Sequence, residues 1–180
     1  MKAVELQSQD VEKILKEHNA FFDTQVTKNT DFRIEQLKNL RTGIKKYESK
    51  ISEALKTDLG KHEFEAYATE IGFVYNSIEE ALVNLKKWAN PQKVRTPVYL
   101  FPAKGMIMSE PYGTVLLIGP YNYPFQLLVE PLVGAIAAGN CAVLKPSEVS
   151  PHVSAIVTEM ISTVFDSNYI RSVEGNVETN

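Results

Sequence analysis

The sequence is poor in cysteine and has neither a long apolar run nor an excess of positive charge. Its single cysteine, Cys141, excludes an internal disulfide and a cysteine zinc site, as is usual in a reducing compartment. No apolar run approaches the roughly 20 residues of a membrane span, and residues 1–10 are polar, unlike a secretion signal. With 19 basic and 22 acidic residues, the net charge of −3 offers no positive field for nucleic acid or acidic lipid. We therefore expect a cytoplasmic protein that binds neither.

The composition is that of a packed globular protein. Hydrophobic residues make up 44% of the chain and charged residues 23%, which argues against a disordered or fibrous class. The three histidines, His18, His62 and His152, are scattered without the spacing of metal ligands. We expect them at the surface, and the sequence predicts no metal site.

The first half of the chain has the apolar periodicity of amphipathic helices. Three stretches show it: residues 8–28, 32–59 and 64–88. Asn29 and Thr30 supply a stop and a new cap, Gly60 ends the second stretch, which forms one or two helices, and Asn90-Pro91 ends the third. The heptad-like spacing of the third stretch is compatible with a coiled coil, but it favours a long helix packed on a domain.

The second half reads as a β-ribbon followed by alternating strands and helices. Alternating apolar residues among prolines and glycines predict an exposed ribbon over residues 93–112. Strands are predicted at 114–118 and 141–144, the first covered on both faces, with a helix at 125–138 between them. Ser150-Pro151 is predicted to cap a further helix reaching about Phe165, and residues 169–173 form a candidate third strand. The order strand, helix, strand predicts a parallel βαβ unit and an α/β fold with a doubly wound sheet.

Ligands of such sheets bind at the carboxyl ends of the strands, which directs attention to two loops. Residues 119–124 follow the first strand and residues 145–148 follow the second, and neither contains a glycine-rich phosphate motif. Lys145, Ser147 and Glu148 offer a cation, a hydroxyl and a carboxylate that suit a ribose diol. The alternative is a solvated turn in which Ser147 caps the next helix.

Asn122 and Cys141 are the candidates for covalent chemistry. Asn122 lies in a stiff loop between prolines and could present its amide to a developing oxyanion, although asparagine is also common in turns for local reasons. Cys141 lies inside a predicted buried strand, where a thiol behaves as a small hydrophobe rather than as a nucleophile.

Two segments carry a family resemblance. They read EPYGTVLLIGPYNYPF at residues 110–125 and PLVGAIAAGNCAVLKPSE at residues 131–148. Together they resemble the aldehyde dehydrogenase superfamily, in particular its class 3 or fatty-aldehyde-like branch. The likeness is strongest over residues 105–151 and extends in both directions, up to residues 175–179.

The resemblance implies roles for individual residues. Asn122 matches the asparagine that stabilises the oxyanion of the thiohemiacetal. Lys145 and Glu148 match the pair that holds the adenosine ribose of NAD or NADP, and Glu148 favours NAD because it would repel a 2′-phosphate. The remaining matched positions line the cofactor cleft: Ile118, Gly119, Pro120, Tyr121, Pro146 and Ser147.

The resemblance also implies a division of the chain and a departure from the family pattern. Residues 1–92 are expected to form helices that pack on the cofactor domain, and residues 113–180 are expected to form the first part of that NAD(P)-binding domain. Residues 93–112 are expected to be part of an oligomerisation arm, and the complete enzyme is expected to be a dimer. The family's nucleophilic cysteine and general-base glutamate are expected beyond Asn180. We therefore expect an N-terminal, truncated part of an enzyme that oxidises an aldehyde to a carboxylate, inactive by itself. The alternative is a non-catalytic interaction module.

Overall fold

The computed structural model describes residues 8–175, which form helices in the first half and two small sheets in the second. The helical half contains α1 (Ser8–Asp23), a 3₁₀ turn (Val26–Lys28), α2 (Thr30–Leu59), α3 (Glu63–Ala66), a π-turn (Tyr67–Ile71) and α4 (Gly72–Trp88). The second half contains β1 (Gln92–Val94), a 3₁₀ turn (Val98–Leu100), β2 (Gly105–Ile107), β3 (Thr114–Ile118), α5 (Gln126–Ala138), β4 (Cys141–Lys145), α6 (Pro151–Val164) and β5 (Ile170–Ser172). Residues 1–7 and 176–180, including the end of the family likeness, lie outside the described part.

The C-terminal end of α1 differs from its predicted position. Helix α1 ends at Asp23 instead of continuing to Lys28, because Gln25 takes a left-handed conformation and a 3₁₀ turn follows. Asn29 then caps α2, its side chain accepting hydrogen bonds from the backbone N–H groups of Asp31 and Phe32. The second periodic stretch is one continuous helix, which ends at Gly60 as predicted, with φ of +68°.

The third periodic stretch is a long helix packed on the domain, as predicted. Helix α4 packs against α2 and α5 rather than pairing as a coiled coil. The apolar spacing matches the buried face from Ile71 to Leu85, but Phe64 and Tyr67 are exposed. The π-turn between α3 and α4 changes the helical register, and Glu70 is buried there instead.

The predicted parallel βαβ unit is confirmed, together with the third strand. The strand order is β3-β4-β5, all parallel, and α5 connects β3 to β4. Strand β4 is buried along its whole length because it is the central strand. The prediction that β3 is covered on both faces is wrong, since Leu116 is 59% exposed and Ile118 is 56% exposed. Helix α5 covers the opposite face of β3. On the face that carries Leu116 and Ile118, α1 contacts only the start of the strand, where the Thr114 hydroxyl donates to Asn19.

The core lies between the sheet and helices α2, α4, α5 and α6. Fully buried members include Leu37, Leu40, Ile51, Ile78, Leu128, Leu132, Leu144, Val157 and Ile161. Cys141 is buried as predicted, and burial raises the pKa of its thiol to about 12.

The expectation that all three histidines lie at the surface is wrong for His18. His62 and His152 are exposed, whereas His18 is fully buried because α1 packs across β3 and β4. Its Nε2 lies 3.0 Å from the carbonyl oxygen of Ser167, and burial lowers the pKa of the ring.

The start of α6 is capped by a different residue from the one predicted. Pro151 is the first helical residue, as expected, and the helix ends at Val164. Ser150 makes no capping hydrogen bond with its side chain. Asp58, at the end of α2, accepts hydrogen bonds from the backbone N–H groups of His152 and Val153 instead.

The predicted ribbon is confirmed as an antiparallel pair of short strands. Strand β1 pairs with β2 so that Lys93 lies opposite Met106. The connecting segment exposes large apolar side chains: Val98, Tyr99 and Phe101. Over residues 8–175, no helix has the length and apolar content needed to cross a membrane.

Candidate active site

The two loops singled out from the sequence meet at one edge of the parallel sheet. In the β3-β4 register Ile118 lies opposite Lys145. The backbone N–H of Gly119 donates to the carbonyl of Lys145 at 2.9 Å, which ties the start of one loop to the start of the other. Residues 119–124 and 145–148 are therefore neighbours at the carboxyl ends of adjacent strands, the usual position of a ligand site in this fold class.

Lys145 and Glu148 form an ion pair at this edge. The Lys145 Nζ donates to Glu148 Oε2 at 2.9 Å, with the lysine side chain 4% exposed and the glutamate 35% exposed. The hydrogen bond from Lys145 holds the pKa of Glu148 below its usual value. The glutamate is thus ionised at neutral pH and still reaches solvent, so it can accept a hydrogen bond from a ligand hydroxyl.

The rest of the second loop is mostly buried. Pro146 and Ser147 are buried, and the Ser147 hydroxyl accepts a weak hydrogen bond from the backbone N–H of Val149 at 3.3 Å. Ser147 therefore forms a local turn and does not cap α6. Glu148 is the polar side chain of this loop that reaches solvent, with Lys145 buried beside it.

The first loop has an apolar surface above a buried glycine. Ile118, Pro120 and Tyr121 are exposed. Gly119 is buried against α5, where an added Cβ would lie 3.1 Å from the Cβ of Leu128. A side chain at this position would require the Leu128 side chain or the loop to shift by a few tenths of an ångström, so glycine allows the strand end to lie close to the helix.

Asn122 is exposed at the outer part of the first loop. Its carboxamide makes no hydrogen bond with the described residues, so the NH₂ group is available to a ligand. Its backbone carbonyl accepts a hydrogen bond from Lys61 Nζ at 3.2 Å. The Asn122 carboxamide is therefore without a hydrogen bond to the described residues, whereas the backbone carbonyl of Asn122 is bound by Lys61.

The sequence did not predict the role of Lys61, which contacts this loop, or of Glu70, which contacts its junction with α5. Their side chains form a buried ion pair with Nζ and Oε1 2.5 Å apart. The other oxygen of Glu70 accepts hydrogen bonds from the backbone N–H groups of Phe125 at 2.9 Å and Gln126 at 3.2 Å.

A sequence signal for Glu70 existed. Ala66, Glu70 and Val74 are spaced by four residues, and all three are buried. Residues four apart share one face of a regular α-helix, so this spacing indicated a carboxylate among apolar residues, although the π-turn at Tyr67–Ile71 sets the register that buries Glu70. No comparable signal marked Lys61.

The start of α6 also contacts the first loop. The Ser150 hydroxyl, which does not cap its own helix, donates to the backbone carbonyl of Tyr121 at 3.2 Å. The first loop is therefore linked to the residue before α6 by this bond and to the second loop by the pairing of the strands. Within residues 8–175, no group of three or more histidine, cysteine or acidic side chains is arranged to hold a metal ion.

Comparison with known proteins identifies the family. The family model "Aldehyde dehydrogenase family" matches residues 1–179. The chain is 55% identical over 168 residues to 4,4'-diaponeurosporen-aldehyde dehydrogenase of Staphylococcus aureus, covering 93% of the chain and 37% of that protein. It is 42% identical over 170 residues to aldehyde dehydrogenase family 3 member H1 of Arabidopsis thaliana, covering 94% of the chain and 35% of that protein.

A solved structure agrees with these relatives. The substrate-bound state of Staphylococcus aureus AldH superposes with a TM-score of 0.92 at 55% identity, covering 94% of this chain and 37% of that one. The chain thus spans little more than a third of the length of these curated relatives. The family 3 relatives confirm the predicted class 3 branch. The chain belongs to the aldehyde dehydrogenase family, whose enzymes are NAD(P)-dependent oxidoreductases.

Proposed function

We propose that these residues form the N-terminal part of an enzyme that oxidises an aldehyde to a carboxylate with NAD as the preferred cofactor. The observation that carries the proposal is the meeting of the Asn122 loop and the Lys145–Glu148 pair at one sheet edge, in a chain whose family match covers residues 1–179. One loop offers an amide donor and the other a charged pair. The proposed reaction would use the amide to stabilise an oxyanion and the charged pair to bind a ribose diol.

The adenosine end of the cofactor is assigned to the second loop. Glu148 is ionised and partly exposed, so it can accept from the ribose hydroxyls, and Lys145 can donate to the same diol. Ile118, Gly119, Pro120 and Tyr121 would line the cleft beside it, with Pro146 and Ser147 completing the second loop. The negative charge of Glu148 disfavours a 2′-phosphate, which supports NAD over NADP. When bound, the cofactor supplies a hydride acceptor.

Asn122 is assigned to the oxyanion. Its exposed carboxamide can donate an N–H to the oxygen that becomes negative when a thiol adds to an aldehyde. A donor fixed in place stabilises the charge without reorganisation during the reaction. Cys141 takes no part as the nucleophile, because it is buried in β4 and its thiol remains protonated at neutral pH.

The organisation of the chain is proposed along the same lines. Residues 1–92 support the cofactor domain, residues 113–180 begin it, and residues 93–112 belong to an arm that joins two subunits. The exposed Val98, Tyr99 and Phe101 support the arm as a contact surface, because apolar side chains grouped in this way mark interfaces. A cytoplasmic location agrees with the single cysteine. The same apolar segment is what supports the second candidate, a non-catalytic interaction module.

Activity of a completed enzyme tests the proposal. We would join residues 1–180 to the remaining part of the Staphylococcus aureus relative and follow NAD reduction by absorbance with a panel of aldehydes. The fused enzyme should be active and the 180 residues alone inactive. Asn122→Ala should lower kcat by about 10²- to 10³-fold, whereas Asn90→Ala, at an exposed position outside both loops, should not. Full activity of Asn122→Ala would refute the oxyanion role, and an inactive but folded fusion would favour the interaction module.

A further inference from the structure

We propose that Lys61 and Glu70 are positioning residues that hold the backbone of the Asn122 loop, so that the Asn122 carboxamide is presented at a fixed place above the sheet edge. The inference rests on the proposed oxyanion role of Asn122. It adds two buried residues from the helical part of the chain. Their effect on the reaction is exerted through the loop.

Glu70 holds the far end of the loop. Residues 125 and 126 begin α5, and their N–H groups are among those that an α-helix leaves without partners. Glu70 Oε2 accepts from both of them, at 2.9 and 3.2 Å, across 55 residues of sequence. A carboxylate at a helix N-terminus is also favoured by the helix dipole. The point where the loop enters α5 is thereby attached to the π-turn before α4.

Lys61 holds the middle of the loop. Its Nζ donates to the Asn122 carbonyl at 3.2 Å and lies 3.9 Å from the centre of the Tyr123 ring. A cation in that position is attracted to the ring face as well as to the carbonyl. The residue that carries the amide and the residue after it are therefore both in contact with one ammonium group.

Burial of both charges argues for a positioning role rather than for stability. The Glu70 side chain is fully buried and that of Lys61 is 9% exposed. Removing two charges from water costs about as much as their mutual attraction returns, so a buried pair contributes little net stability compared with an apolar pair of the same shape. The two groups instead use their remaining hydrogen-bonding capacity on backbone groups, with one bond to the Asn122 carbonyl in the loop and two to the N–H groups of Phe125 and Gln126 at the start of α5.

Ser150 secures the loop from the other side. Its hydroxyl donates to the Tyr121 carbonyl at 3.2 Å. Two consecutive carbonyls, those of Tyr121 and Asn122, are thus bound by the side chains of Ser150, just before α6, and of Lys61, just before α3. Asn122 keeps a free carboxamide on a backbone held at its own carbonyl and at that of Tyr121, which is the arrangement that a fixed oxyanion donor requires.

Hydrogen exchange in the 180-residue chain tests whether the pair orders the loop. In Lys61→Met/Glu70→Ala, the amides of Phe125 and Gln126 should exchange at least about tenfold faster than in the unmodified chain, because they lose their acceptor. Amides within α5, such as Leu132 and Ile136, should change by less than about twofold. Lys61→Met/Glu70→Gln keeps an acceptor oxygen and should restore part of the protection. The matched control is Arg41→Met/Glu79→Gln, which removes an exposed ion pair between α2 and α4.

Kinetics of the fused enzyme test whether the ordering matters for the reaction. We expect Lys61→Met/Glu70→Ala to lower kcat at least about tenfold while the KM for NAD changes by less than about threefold, because a displaced donor costs transition-state binding alone. The glutamine variant should recover part of this loss, and the control pair should match the unmodified enzyme. If the alanine variant does not fold, the glutamine variant decides: a lowered kcat supports the proposal and an unchanged kcat overturns it.

The outcomes separate this inference from the proposed function. Unchanged exchange at Phe125 and Gln126, or an unchanged kcat with faster exchange, overturns the positioning role. If Asn122→Ala, measured in parallel, retains full kcat, the oxyanion role fails while the exchange data still decide whether the pair orders the loop. Equal losses in kcat and in NAD binding would also overturn the inference, because they indicate a general disturbance of the sheet edge.

Discussion

Asp58, in the last turn of α2, accepts a hydrogen bond at 2.9 Å from the backbone N–H of Val153, in the first turn of α6. The other carboxylate oxygen lies 2.6 Å from the Nδ1 of His152. The bond to Val153 joins the last turn of α2 to the first turn of α6, two helices that pack side by side, through residues 95 apart in sequence. It thereby holds the start of α6 next to the second loop of the candidate site. The loop that carries Glu148 therefore depends on α2 for its position.

Replacing Asp58 should destabilise the domain without abolishing its fold. Because the side chain is 3% exposed and caps α6, we expect Asp58→Ala to lower the free energy of unfolding by about 1 kcal/mol, and Asp58→Asn by less. Urea unfolding followed by circular dichroism measures both. Glu53→Ala, at an exposed position on α2, is the control and should have little effect. An Asp58→Ala variant as stable as this control would show that the cap contributes nothing.

Glu148→Gln should alter cofactor preference in the fused enzyme. Loss of the charge-assisted hydrogen bond to the ribose should weaken NAD binding by on the order of 1.5 to 3 kcal/mol. NADP binding should suffer less, because the same change removes repulsion of a 2′-phosphate. Calorimetric titration with each cofactor measures the change, with Glu12→Gln on α1 as the control. An unchanged preference would mean that residues 145–148 form only a structured turn.

The Cys141 thiol should be unreactive in the folded chain. Burial and a pKa of about 12 keep it protonated and out of contact with reagents at neutral pH. We expect labelling by a disulfide reagent to be at least about 100-fold slower in buffer than in denaturing urea, where the thiol is accessible. The reaction is followed by absorbance. Equal rates under the two conditions would contradict the burial of β4.

His18 should make stability depend on pH. Burial lowers its pKa from 6.5, so below pH 6.5 the unfolded chain takes up a proton that the folded chain resists. The free energy of unfolding should therefore fall as the pH drops below 6.5. His18→Gln should show a smaller fall between about pH 7.5 and about pH 5.5. Lys16→Gln, exposed on the same helix, serves as the control, and an identical fall in all three chains would refute the assignment.

The elements of the fold were largely predictable because their signals are local. Asn29 as a cap, Gly60 as a stop, Pro151 at the start of α6 and the strands on either side of α5 all follow from side-chain chemistry within a few residues. Gln25 carried no such signal, since its left-handed conformation is unusual for a residue other than glycine, and the end of α1 was therefore misplaced. The π-turn at Tyr67–Ile71 was also not predicted, because no local signal in the sequence marks it.

The candidate site was predictable only in part. Strand order brings the ends of β3 and β4 together, so Asn122 and the Lys145–Glu148 pair could be expected at one edge. Their supports could not be identified in this way. Lys61, Glu70 and Ser150 reach the loop from elements whose relative placement follows from packing, and each was assigned another role or none.

The amino-acid sequence by itself determined the order of helices and strands, the parallel βαβ unit and the residues at the strand ends, because period, caps and turns act over short distances. The tertiary structure alone decided which polar groups distant in sequence became partners. Glu70 reaches Phe125 across 55 residues and Asp58 reaches Val153 across 95. Such bonds form only after the apolar faces of α2, α4, α5 and α6 have packed, because a buried donor or acceptor must then be paired within the protein.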